Sequence, residues 1–259
     1  MLKRYSLVFL VILAIMILLP QTTLAAKKSA PKWQKATEPL SFPILMYHSI
    51  ENKPGNRLCV PPEQLEQQLK YLHDNGYYTL TPAEAYKALT ENKRPRGHKK
   101  MVLVSFDDGY EDNYTNAWPL LKKYQIRATI ALITSKVGTP GMLTLEQIKH
   151  LQKSKWITFV SHTQNHQELN RLNEAEQQNE LQASKDWFKQ TLQHKTDFLV
   201  YPVGRYNEIS TTLAQKVGYK LALTTQPGLA TKAQGLYELH RQRVVPDMSL
   251  EAFSSLLTK

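Results

Sequence analysis

Three short stretches of this 259-residue chain carry residue types that do chemistry. SFDDGYEDNY, residues 105–114, sets Asp107 beside Asp108 directly after the apolar run Met101–Val104. HTQNH places His162 and His166 four residues apart, and MYHSI puts His48 at the end of another apolar run. Neighbouring carboxylates repel each other, so two of them at one strand end need a use. Two imidazoles at that spacing face one cation if the chain turns helically there. One carboxylate then completes a two-histidine, one-carboxylate set with positions left open for water. A divalent ion so held lowers the pKa of water and polarises a carbonyl. The two aspartates can divide the labour, one on the ion and the other taking the water's proton as general base. Each stretch alone has a plainer reading. Asp-Asp-Gly is a turn signal, and an isolated H-x-x-x-H also fits a polar surface pair. Both at strand ends of one domain make a sharper coincidence.

The elements that must position these residues follow from periodicity. PILMYHSI, MVLVSF, IRATIALIT, WITFVSH, DFLVYPVG and YKLALTT read as strands. Between them lie amphipathic stretches. PPEQLEQQLKYLHDNGY has Leu65, Leu69 and Leu72 on one face and Gly76 as its stop. PAEAYKAL opens with Thr81 as N-cap and Pro82 in the first turn. NAWPLLKKYQ, LTLEQIKHLQKS capped by Thr144, residues 173–192, ISTTLAQKVG and SLEAFSSLL capped by Ser249 complete the set. Strand and helix alternating without a break predict repeated βα units around a parallel sheet in one α/β domain. Six or seven units fit a barrel better than a small doubly wound sheet, and in a barrel the chemistry sits at the C-terminal strand ends. Met46-Tyr47-His48, Ser105 to Gly109, Ser161-His162 and Tyr201 to Gly204 are such ends.

The N-terminal end reads differently. Lys3 and Arg4 precede thirteen apolar residues, Leu7 to Leu19, then Pro20 and the small residues before Ala25. That pattern is a secretory signal peptide over residues 1–25, and the apolar run is shorter than the roughly 20 residues of a spanning helix. An uncleaved N-terminal anchor is the alternative; after cleavage no stable membrane span is expected. Residues 26–40 read as a polar linker, and residues 41–259 as the catalytic domain. The single cysteine, Cys59, excludes an internal disulfide and reads as a buried small apolar residue. The net charge is +11, and loss of Lys3 and Arg4 with the signal leaves +9. In an exported protein such charge points to an anionic cell envelope rather than to nucleic acid. The basic run KRPRGHKK, residues 93–100, has no interleaved aromatics and reads as solvated surface.

SFDDG with HTQNH resembles the first two motifs of the polysaccharide deacetylases, the NodB-homology or carbohydrate esterase 4 family. The resemblance runs from about Phe42 to Leu257. It implies a distorted (β/α)7 barrel, a zinc-type divalent metal (Co2+ or Ni2+ also suit the donors), and hydrolysis of acetyl groups on N-acetylated sugars. By position, Asp107 would be the general base, and Asp108, His162 and His166 the metal ligands, with Thr163 bracing their loop. YPVGRYN resembles the third motif, in which Pro202 matches. The motif's arginine position is Val200 here and its aromatic position is Val203. The Val203 N–H can still serve an oxyanion, since that role needs no side chain. Arg243 is the expected substitute for the missing arginine. MYHSI followed by VPPEQLEQQLKYLHDNGY resembles the branch acting on poly-β-1,6-N-acetylglucosamine, in which the acid histidine lies in the first strand. His48 is therefore expected as general acid, ahead of His240. Tyr110 and Tyr206 are candidates to stack on sugar rings. The signal peptide points to a secreted or envelope-associated protein, expected to be a monomer, and the resemblance implies a hydrolase of carbon–nitrogen bonds on a glycan polymer. Its alternatives are a peptidoglycan N-acetylglucosamine deacetylase, an O-acetyl xylan esterase, or a carbohydrate-binding protein with an inactive site.

Overall fold

A computed structural model describes residues 31–258; the segment read as a signal peptide and the first residues of the linker lie outside them. Seven strands run parallel in one closed sheet: β1 (Ile44–Tyr47), β2 (Met101–Phe106), β3 (Ala128–Leu132), β4 (Ile157–Ser161), β5 (Phe198–Val200), β6 (Leu221–Pro227) and β7 (Leu239–Arg243). Pairing proceeds in chain order from β1 to β7, and β7 pairs back onto β1. The result is the distorted (β/α)7 barrel that the sequence resemblance implied. The helices are α1 (Pro62–Asp74), α2 (Pro82–Glu91), α3 (Trp118–Lys123), α4 (Leu145–Gln152), α5 (Glu174–Thr191), α6 (Glu208–Val217) and α7 (Leu250–Leu256). Among the described residues no helix is long and apolar enough to cross a membrane.

Local signals set the helix starts. The Thr81 and Thr144 hydroxyls accept the N–H groups of Glu84 and Gln147, whose side chains return to the capping residues. Ser249 caps α7 through Ala252 N–H. The period of two along the strands sorts the core. Tyr47, Val102, Val104, Phe106, Ile130 and Phe159 face outward into the helices, with Tyr47 stacked on Phe106 at 5.2 Å. Ile44, Leu103, Val160, Val200 and Leu223 face inward, where Pro82 and Ala85 of α2 pack against them. The same inward parity turns polar toward the C-terminal strand ends, at Ser105, Asp107, His162 and Arg241. The barrel is thus filled with hydrocarbon at one end and lined with chemistry at the other.

Three expectations change. The linker does not extend to residue 40: Trp33–Lys35 pairs antiparallel with Lys93–Pro95, and the Asn92 side chain holds Leu40 N–H and the Ala36 and Glu38 carbonyls. The packed domain therefore begins near Trp33. By the same pairing, the first three residues of KRPRGHKK are an edge strand, and Pro95 is buried. The seventh barrel strand, LHRQR, does not read as an apolar run because two of its inward positions are arginines.

Candidate active site

Asp107 lies one residue beyond β2, its N–H donating to Tyr47 O at 2.9 Å. Its carboxylate is 2% exposed and grips one guanidinium in a two-pronged pair, Arg241 Nη1 to Oδ1 and Nη2 to Oδ2, both 2.8 Å. Arg241 is 1% exposed, and its Nε donates to Thr224 O at 2.6 Å. Burial works against ionisation of Asp107; Arg241 overcomes it and holds the carboxyl below its ordinary value. This corrects the expectation for Arg243. Arg241 and Arg243 share the inward face of β7, but the deeper one reaches Asp107, while Arg243 lines the mouth of the cleft. Two arginines two residues apart carry the same signal in sequence, and only depth in the barrel separates them.

Asp108, His162 and His166 converge. Both histidine Nε2 atoms lie 3.4 Å from Asp108 Oδ1. Donors about 2.0–2.1 Å from a tetrahedral cation stand roughly 3.4 Å apart, so the spacing suits an ion of zinc type. The donor chemistry agrees. His162 Nδ1 is 2.7 Å from Val200 O, which places the proton there and leaves the Nε2 lone pair for a ligand. Burial, with His162 beside it, pushes His166 down to about 4 and keeps that ring neutral. Burial opposes ionisation of Asp108, and the His162 hydrogen bond with the neighbouring imidazoles outweighs it, so this carboxyl is held low as well. Against its own burial, the two aspartates in turn raise His162, whose Nε2 proton faces Asp108 and is the one a bound cation would displace.

The two rings do not meet through a helical turn, as their spacing suggested. The segment between them is a loop in which Thr163 (φ 65°) and His166 (φ 62°) are left-handed. Thr163 Oγ1 accepts His166 N–H at 3.1 Å. Asp108 (φ 75°) and Val203 (φ 55°) are left-handed too, so four of the eight non-glycine residues of positive φ among the described residues lie at this site. Such backbone costs of order 1–3 kcal/mol per residue and persists where the surroundings over-determine it. Gly109 follows at φ 83°, and a Cβ there would stand 2.7 Å from Leu132 Cδ2.

These groups line one cleft of about 220 Å³, together with Met46, His48, Leu58, Val203, Thr225 and Arg243. His48 Nε2 is 4.0 Å from Asp107 Oδ2. Burial holds His48 below its ordinary value, and Asp107 and Asp108 only partly offset it. Val203 is 54% exposed at the rim, and no described group accepts its N–H. His240 is not among the lining residues; its ring lies beside Gly228. Tyr206 stacks on buried Tyr201 at 4.7 Å, on the core side. Tyr110 is half-buried, with its hydroxyl toward Asp108. A base held ionised, a three-donor cation site and an imidazole around one cleft can activate water against a carbonyl and protonate a leaving group.

Comparison with known proteins gives the family. The polysaccharide deacetylase family profile matches residues 94–222. YxkH of Bacillus subtilis (strain 168), whose name assigns it to the polysaccharide deacetylases, is 48% identical over 225 residues, 87% of this chain and 79% of its own. The poly-β-1,6-N-acetyl-D-glucosamine N-deacetylase of Staphylococcus aureus (strain N315) is 26% identical over 99% of this chain and 97% of its own. Among solved structures, the Streptococcus pyogenes deacetylase PplD in complex with acetate superposes with a TM-score of 0.81 at 37% identity, covering 86% of this chain and all of that one. The chain belongs to the polysaccharide deacetylase family.

Proposed function

We propose that this chain is an exported, metal-dependent N-deacetylase that hydrolyses the acetamide of N-acetylglucosamine polymers and releases acetate. The observation that carries the reading is Asp107, buried, paired through both oxygens to Arg241 and 4.0 Å from His48, with a three-donor cation site on the very next residue. Poly-β-1,6-N-acetylglucosamine is the substrate favoured, because relatives alignable over nearly the whole chain are named for that polymer. Peptidoglycan and O-acetylated xylan are the alternatives.

The geometry supports one role for each group. Asp108, His162 and His166 would hold a divalent cation, zinc or, with the same donors, Co2+ or Ni2+. When bound, that ion supplies Lewis-acid polarisation of the carbonyl and acidifies water. Asp107 takes the proton from the attacking water, and Arg241 keeps the carboxylate ionised and fixes its plane. The Val203 N–H meets the charge that develops on the carbonyl oxygen. His48 gives a proton to the nitrogen as the C–N bond breaks. An amine leaves poorly without that proton, which is why a buried imidazole in the cleft fits an amide substrate better than an ester. The freed amine then takes up a proton from water at neutral pH.

Parallel assays of acetate release from β-1,6 polymer, peptidoglycan and chitooligomers, each with and without a chelator, test the reading. Chelator-sensitive release that is fastest from the β-1,6 polymer is the expected result. Metal binding without release from any acetylated glycan would instead leave a carbohydrate-binding protein.

A further inference from the structure

The loop that carries both histidine donors is held from below by one side chain of α5. Glu180 is 2% exposed and has no cationic partner among the described residues. Its Oε2 accepts Asn165 N–H at 2.8 Å, and its Oε1 accepts Asn165 Nδ2 at 2.7 Å and Gln167 Nε2 at 3.4 Å. The Glu180 carbonyl accepts Gln164 N–H at 3.2 Å. One turn further along the same face, Ser184 Oγ meets Ser161 Oγ at 2.8 Å, and Ser161 Oγ accepts Thr163 N–H at 3.2 Å. Every residue from Thr163 to Gln167 except His166 is thus tied to α5 directly or through one hydroxyl, and His166 N–H is tied to Thr163.

A polar side chain is costly to bury, and an apolar residue would serve packing better. What this one supplies is direction. It fixes Asn165 by backbone and side chain together, between two residues held in left-handed backbone. We infer that Glu180 is a positioning residue for the cation site: it sets the loop so that the His162 and His166 Nε2 atoms arrive together at Asp108. The inference rests on the cation site of the proposed function and on no substrate. It also explains why the inward face of α5 carries Glu180 and Ser184 where a packing helix would carry hydrocarbon.

Metal affinity tests it. The full domain is compared with Glu180→Gln, Asn165→Asp and the double variant, each stripped and titrated with Zn2+ against a chromophoric chelator, with metal-free Tm measured alongside. Asn165→Asp sets two carboxylates face to face and should weaken Zn2+ binding about 10-fold, the scale on which groups behind metal ligands act. Glu180→Gln alone is met by a half-turn of the Asn165 amide, whose oxygen then accepts from the new donor, so it should cost less. In the double variant the amide of the new glutamine donates to the new aspartate while its oxygen keeps the residue 165 N–H, so most of the affinity should return. Asn165→Asp that binds as the wild type does, with only Tm lowered, would reduce Glu180 to a stability role and overturn the inference. So would Asn165→Asp binding Zn2+ more tightly, since that marks simple charge attraction, or a double variant no better than Asn165→Asp alone. A wild type that binds no Zn2+ would overturn the cation site itself, which the other outcomes leave standing.

Discussion

Replacing Arg241 by methionine isolates what the guanidinium does for Asp107. The change removes both hydrogen bonds to the carboxylate and the one to Thr224 O, and leaves a 2% exposed carboxylate without a cation. Breaking a buried ion pair from one side costs about 3–5 kcal/mol. At roughly 2–4 °C per kcal/mol for a domain of this size, Tm should fall by about 6–20 °C. The pH dependence has a definite sign. In the wild type Asp107 is held below its ordinary value, so its pairing stabilises the fold above the unfolded value of about 3.9 and is lost as pH falls through the folded one. Without Arg241, only His162 and His48 oppose burial, so the carboxyl rises and the stabilisation it contributes above the unfolded value shrinks. Kinetically, a base that is protonated at neutral pH should cost on the order of 10²-fold in kcat/KM, with the acidic limb of the profile moved to higher pH. Arg243→Met at the cleft mouth should leave that limb in place. Purified variants assayed for acetate release across pH, with melting curves at the same pH values, give both readouts. If Arg241→Met keeps the wild-type limb, or shifts it no further than Arg243→Met does, the pairing does not tune the base and the reasoning fails.

Other outcomes follow from the same geometry. Asp108→Asn should weaken Zn2+ binding, whereas Asp107→Asn should keep the metal and lose turnover; equal loss of metal in calorimetric titration would refute the division of labour between the two carboxylates. His48→Ala should lower kcat more than His240→Ala, because only His48 lines the cleft; a silent His48 change would remove it as the acid. A chelator should abolish acetate release and Zn2+ restore it. Gly109→Ala should lower Tm, since the added Cβ meets Leu132 in a left-handed backbone position; an unchanged melting curve would show that β3 yields freely.

The alternation of strand and helix was legible in the chain because it rests on local chemistry. Thr81, Thr144 and Ser249 cap where short-range hydrogen bonding dictates, and period-two strands sort inward from outward residues without reference to the rest of the fold. Asp107, Asp108, His48, His162 and His166 were legible because each sits at or just beyond a strand end, and a parallel barrel gathers its strand ends at one mouth. Four features needed the tertiary structure. The arginine on Asp107 is Arg241 rather than Arg243, since both share a face and only their depth along β7 differs. The two histidines meet through a left-handed loop, because the strain of that backbone is offset by contacts from α5, distant in sequence. Glu180 looked like one more charge on a polar helix until the loop closed over it. The start of the domain at Trp33 depends on pairing with residues some sixty positions later. Local propensity thus determined the elements and the identity of most chemical groups. Which group touches which was decided by barrel closure, since distances between strands far apart in sequence are set only when the seventh strand pairs with the first.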